Sequence, residues 1–255
     1  MFEHVREWLE SRRIKEAGFT SEMWEASIAD WPVAARFQGE ERAALRALTF
    51  RFLVRKSFSA GGDFELTESV YMKLATMACV PILHLGLNWY DHVHSIVVYE
   101  GDFLPPRTYR TADGVVHERG SGLSGEAWLR GPVILSWQSI LESGPQARHG
   151  KASNVVIHEF AHKLDMLRDG ANGAPPMHPG MDAGEWHDVF MSAWGRLERN
   201  VEHHVALPID VYALTSPAEF FAVCSETFFE APEAMIHTMP EVYRLLCLFY
   251  RQTPL

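Results

Sequence analysis

Apolar residues recur at helical spacing through the first eighty positions. Residues 1–13 read as an amphipathic helix, and Leu45, Leu48 and Phe52 mark one face of a helix over 41–54. A third helix is expected over 67–78, after the Gly61-Gly62 break. The pattern then changes to short β-branched runs. Strands are expected at 95–99, at 114–117 after an Asp113-Gly114 turn, and at 133–137. Between the last two, 120–125 is a glycine-serine loop and 126–129 resumes an extended pattern. Gly131-Pro132 would interrupt a central strand, which predicts a sheet edge here.

From Asn154 the helical period returns. Residues 155–167 contain no Gly or Pro, and the Asp169-Gly170-Ala171-Asn172-Gly173 cluster stops the helix. A Pro/Gly-rich loop over 174–184 leads to a helix around 185–199. Another is expected over 216–230, with Ser216 as its cap and Pro217 at its first position, and a last one over 240–250. The sum is an α+β chain read as one domain over 1–255. Residues 1–80 form a helical part, and 81–255 hold a small mixed sheet and the remaining helices.

Composition narrows the class. The 255 residues are 47% hydrophobic and 22% charged, an ordinary globular balance. A net charge of −10 argues against direct binding to nucleic acid. Cys79, Cys224 and Cys247 are odd in number and set among apolar residues, so they read as buried thiols in a reducing compartment. The N-terminal residues lack the apolar core of a signal peptide. The best apolar run, 77–87, is broken by Pro81 and His84 and is too short to span a bilayer. A soluble cytoplasmic protein with no membrane partner is expected.

One segment carries chemistry. His158-Glu159-Phe160-Ala161-His162 fits H-E-x-x-H inside a predicted helix. Residues four apart share a helix face, so both imidazoles can converge on one metal ion. Glu159 then sits beside a metal-activated water and can take its proton. A charged surface helix would show the same five residues. A third histidine in the metzincin pattern is ruled out, because Asp165 and Arg168 stand where glycine and histidine belong. A distant glutamate is the alternative. Glu185 lies at a thermolysin-like separation, and Glu219 lies farther along, after Tyr212 and within Ser216-Pro217-Ala218-Glu219. The latter is also a capping box, in which the glutamate would reach back to the helix start.

His158-Glu-Phe-Ala-His-Lys-Leu-Asp165, followed by Tyr212-x6-Glu219-Phe-Phe-Ala-Val-Cys-Ser-Glu226, resembles the Mlc titration factor A family of bacterial zinc metallopeptidases. The two-part arrangement is also similar to the catalytic domain of anthrax lethal factor. The resemblance extends over most of the chain, from His84-Leu-Gly-Leu-Asn-Trp-Tyr90 through Gly131-Pro-Val-Ile-Leu-Ser-Trp137 to the end. It implies a zincin-like metallopeptidase fold built on the HExxH helix, with one Zn²⁺ held by His158, His162 and Glu219. It further implies Glu159 as general base, Tyr212 as the phenol that stabilises the oxyanion, and aminopeptidase-like activity on peptides. Association with an Mlc-type transcriptional repressor is implied as well, which leaves a competing expectation of a protein acting mainly as a binder.

On this resemblance Glu219 is preferred as a ligand over its capping role, and Glu185 becomes a solvated carboxylate. By their spacing, Asp165 and Glu226 can both point to the metal side, either supporting the site or packing helices with no catalytic part. His92 and His94 alternate as on one strand face but lack companions, and His203-His204 is expected in an exposed loop. Trp89, Trp128 and Trp137 could line a groove but read as core, and Asp210 fits either a turn or a substrate contact. Residues 124–129 are the expected edge for a substrate strand.

Overall fold

The computed structural model describes residues 2–101, 125–127, 131–168 and 170–255, with backbone alone for 2–7 and 125–127. Its first part holds α1 (Phe2–Ala17), α2 (Ser21–Ile28), α3 (Gly39–Arg55), β1 (Ser57–Ala60) and α4 (Glu68–Cys79). The middle holds β2 (Ser95–Tyr99), β3 (Gly125–Ala127), β4 (Val133–Ser136), α5 (Trp137–Leu141), β5 (Gly144–Arg148) and β6 (Lys151–Ser153). Helices α6 (Val155–Asp165), α7 (Ala183–Glu202), α8 (Pro217–Glu230), α9 (Pro232–Thr238) and α10 (Pro240–Tyr250) complete it. The strand expected at 114–117, most of the 120–125 loop and Trp128 lie outside the described residues. No described helix is long and apolar enough to cross a membrane.

The sheet is mixed, in the order β1-β2-β4-β3. β1 and β4 flank β2 in parallel, and β3 runs antiparallel to β4. Ile96 and Val98 of β2 and Val133 and Leu135 of β4 are fully buried, and α6 packs against β3 and β4. β3 forms the sheet edge expected of this region, while β4, which follows Gly131-Pro132, is an interior strand. Those two residues precede the strand, where a missing N–H removes no ladder bond. Position 137 leaves the sheet because Ser136 Oγ accepts from Ser139 N at 3.3 Å and starts α5.

One buried apolar cluster runs from Trp24 to Tyr250 and draws on α2, α3, α4, α6, α7, α8 and α10. Trp186 stacks on Phe190 with centroids 4.2 Å apart, and Tyr250 donates to Ser225 Oγ at 2.7 Å. α1 joins this body differently from the amphipathic docking expected of it. Trp8 is 61% exposed, whereas Glu10 is buried and accepts from Arg51 Nε at 3.0 Å and Arg55 Nε at 2.6 Å. Here α1 is held by a buried carboxylate between two guanidiniums, with Ile14 packed against the core one turn on.

At the end of α3, Lys56 is buried and donates to the Tyr90 carbonyl at 2.6 Å. Burial pushes its ammonium down to about 8. The unfolded chain, with an ordinary lysine, binds more protons between pH 8 and about 10.5, so stability should rise with pH across that window. Urea titrations of Lys56→Met and wild type at pH 7 and 10 check this. The difference in stability between the two proteins should shift toward wild type by up to about 3 kcal/mol at the higher pH. An unchanged difference would mean that Lys56 titrates normally.

Candidate metal centre

α6 begins where Asn154 Oδ1 accepts from the backbone N–H groups of Val156 and Ile157, both at 3.1 Å. The cap sets the helix phase, and one turn separates His158 from His162. Their Nε2 atoms stand 3.2 Å apart. α8 packs against α6 and brings Glu219 in on its first turn. Ser216 Oγ accepts from Glu219 N at 3.2 Å, but among the described residues only that half of the capping box forms. The Glu219 carboxylate turns away to the histidines. Its Oε2 lies 2.9 Å from His158 Nε2 and 3.3 Å from His162 Nε2.

These three atoms form a group that could hold a metal ion. All lie within 4.8 Å of one another, and no other such group occurs among the described residues. Tetrahedral zinc with bonds of about 2.0–2.1 Å spaces its ligand atoms about 3.3 Å apart, which the observed separations match. Two imidazoles and one carboxylate also leave a fourth position free. Glu185 lies outside this group. It is exposed on α7, with Oε1 2.5 Å from Arg244 Nη2.

His158 is oriented from behind. Its Nδ1 lies 2.7 Å from Glu226 Oε1, which fixes the ring and directs Nε2 at the centre. Glu226 Oε2 accepts from Asn154 N at 2.6 Å. Asn154 Nδ2 donates to Glu230 Oε1 at 2.7 Å, and Trp31 Nε1 donates to that oxygen at 2.9 Å. Arg36 clamps the end of the same helix through the carbonyls of Phe229 and Glu230. Burial alone would lower the His158 pKa, but Glu226 and Glu219 hold it well above the ordinary value. Glu219 is held far below the usual carboxylate range, because hydrogen bonds from both histidines outweigh its burial. The centre is an anionic cradle that favours a cation.

Tyr212 stands beside His158, with ring centroids 6.0 Å apart. Asp210 fixes it by capping the 3-10 turn Val211–Thr215 and accepting from Tyr212 N at 2.8 Å. Of the two roles open to Asp210, the turn is the one observed. Burial, reinforced by Glu219 and Glu159, pushes the phenol up to about 12, so it is a hydrogen-bond donor at neutral pH. Glu159 is buried on α6. Four residues later the fully buried Lys163 donates to the Gly131 carbonyl at 3.2 Å. Asp165 serves the end of the helix. Its Oδ2 accepts from Gly173 N at 2.7 Å, and burial pushes its carboxyl up to about 6. Gly173 has φ +79° and approaches so closely that a Cβ there would lie 2.4 Å from the Pro217 carbonyl oxygen. It seats the loop against the start of α8, a role hidden when a glycine cluster is read only as a helix stop.

His92 and His94 do not lie on a strand. They sit in the turn before β2, where His92 is half-buried and His94 exposed. Trp89 packs on His178 and Phe249, and Trp137 packs on Phe64. His203 and His204 are exposed after α7, as expected.

A helix with two imidazoles facing a carboxylate from a second helix, with a glutamate beside the first histidine, is the side-chain set of a metallopeptidase. The whole sequence agrees: residues 5–251 match the model of the glucose-regulated metallo-peptidase M90 family, and the chain belongs to that family. It is 36% identical over 233 residues to Mlc titration factor A of Salmonella agona (strain SL483), covering 91% of this chain and 86% of that protein. The Klebsiella pneumoniae protein of the same name is 34% identical over 242 residues, covering 94% and 89%.

Proposed function

We propose that this protein is a zinc-dependent peptidase that hydrolyses peptide bonds with a water activated at the His158–His162–Glu219 centre. The observation that carries the reading is the convergence of those three ligand atoms at the helix that carries Glu159, with Glu226 orienting the ring of His158. Bound zinc supplies a Lewis acid that polarises the carbonyl and brings a water's pKa toward neutrality. Glu159 takes the proton of the attacking water and returns it to the leaving amine. Tyr212 donates its phenolic hydrogen to the carbonyl oxygen as negative charge develops there. β3, at the end of the sheet and packed against α6, offers the edge along which an extended peptide adds as a further strand.

An aminopeptidase-like preference follows from the family resemblance. The relatives' name also supports a second role, binding of an Mlc-type repressor. An acidic chain suits a DNA-binding partner with a basic face. The two roles separate in a pull-down with Glu159→Ala protein, where retained repressor binding without hydrolysis makes them independent.

The test of the peptidase reading is a cleavage profile on a mixed peptide library. Cleavage should disappear with a chelator and return with one equivalent of zinc. Tyr212→Phe should keep zinc and fold but lower kcat by about 10²–10³, with little change in ground-state binding. A zinc-loaded wild type that cleaves nothing in the library would overturn the reading. Full activity in the Phe variant would leave Tyr212 a packing residue.

A further inference from the structure

The hairpin of β5 and β6 turns through His149 and Gly150, with φ of +49° and +73°, the paired positive angles of a tight hairpin turn. It ends β5 on Arg148 and places that residue beside Tyr212, whose ring in turn stands 6.0 Å from that of His158. The guanidinium carbon stands 5.1 Å from the centroid of the Tyr212 ring. Arg148 Nε is 3.8 Å from Asp210 Oδ2, while Asp210 is already engaged by Tyr212 N at 2.8 Å and by His149 Nδ1 at 3.0 Å. Arg148 thus has a ring under it and a carboxylate at one side. Its N–H groups make no hydrogen bond among the described residues, and its side chain is 46% exposed. A fork of donors is held in place and left open.

The surroundings give that fork a purpose. Glu159, Glu219 and Glu226 lie around His158, so the protein's own charged side chains there are mainly carboxylates, and a guanidinium beside Tyr212 stands out among them. Arg148 is a cation at the wall formed by Tyr212. An exposed cation–π stack contributes little to stability, so packing alone is a weak reason for this placement. A guanidinium receives a carboxylate through two parallel N–H···O bonds, a geometry that lysine cannot reproduce.

We propose that Arg148 is a substrate-anchoring residue that selects peptides with a carboxylate close to the cleaved bond. This rests on the peptidase reading above. The carboxylate is either an acidic side chain or the peptide's own C-terminus. Both offer the same planar pair of oxygens.

Equilibrium binding to zinc-loaded Glu159→Gln protein tests the proposal without requiring turnover. Three matched peptides are compared: one with Glu beside the scissile bond and an amidated C-terminus, one with Gln there and a free C-terminus, and one with Gln and an amide. One of the two carboxylate peptides should bind about 10–100-fold tighter than the neutral one, and the one that does identifies the source. Adding Arg148→Met should bring that ratio close to one, and Arg148→Lys should restore it only in part. No preference in the Arg148 protein, or an equal ratio in the Met variant, overturns the proposal. If Arg148→Met fails to fold, the Lys variant decides, because an undiminished ratio there excludes the two-bond anchor. A preference that survives in a wild type unable to cleave any peptide would overturn the peptidase reading and leave the anchor standing.

Discussion

Glu219→Ala protein should lose its zinc, whereas Glu185→Ala should keep one ion per chain at wild-type affinity. The two glutamates are the rivals that spacing alone leaves open, and their surroundings separate them. Glu219 directs Oε2 at both histidine Nε2 atoms, at 2.9 and 3.3 Å. Glu185 is spent on an exposed pair with Arg244. Losing a partner one shell farther out typically costs about 10–100-fold in metal affinity, so removing a ligand should cost more than about 100-fold. Competition against a chromogenic chelator reads this directly. Because Ser216 Oγ still accepts from the backbone N–H of residue 219, the helix cap survives and the variant should fold. Zinc retained by Glu219→Ala and lost by Glu185→Ala would move the third ligand to α7.

Local chemistry was legible where a helix encodes it. His158 and His162 need only the 3.6-residue period to share a face, and Ser216-Pro217 announces the start of α8 before any contact is known. The carboxylate of Glu219 was ambiguous for a physical reason. A glutamate at the third helical position can reach back to the cap or outward to a ligand, and only the packing of α8 on α6 chooses between them. The support behind His158 was less legible. Glu226 stands 68 residues from the histidine it touches, and Trp31 stands 199 residues from Glu230. No period or spacing connects them. Asn154 was readable as a helix start, but the same side chain also donates to Glu230 and its N–H to Glu226, which depends on tertiary packing.

The fold shows the same division. Helices with an apolar stripe, such as α3 and α10, were anticipated nearly to the residue. β1 was missed because Ser57-Phe-Ser-Ala60 is short and mostly polar, and it becomes a strand only by pairing in parallel with β2. The β5–β6 hairpin was missed because Gly-Pro-Gln-Ala-Arg has none of the β-branched content that marks strands. Its pairing is local, but its importance lies in carrying Arg148 to Tyr212. α1 misled in the opposite sense. Its helix forms, yet Trp8 points to solvent and Glu10 inward, because two arginines of α3 make burial of a carboxylate favourable.

Glu159→Gln is the substitution that isolates proton transfer from metal binding. Glutamine keeps the size of the side chain and its place on α6, and position 159 supplies none of the three converging ligand atoms. The variant should therefore hold one zinc with wild-type affinity and remain folded. What it loses is a carboxylate whose charge acts on His158, Tyr212 and Lys163 alike. A neutral amide cannot accept the proton of the attacking water or return it to the amine, so kcat should fall by about 10²–10⁴. KM should change little, since the amide still fills the wall that the substrate meets. Steady-state kinetics with metal content measured on the same sample decide the matter. Activity that survives would place the base elsewhere. Zinc lost together with activity would show that Glu159 holds the centre together, because the fall in rate would then follow the missing metal.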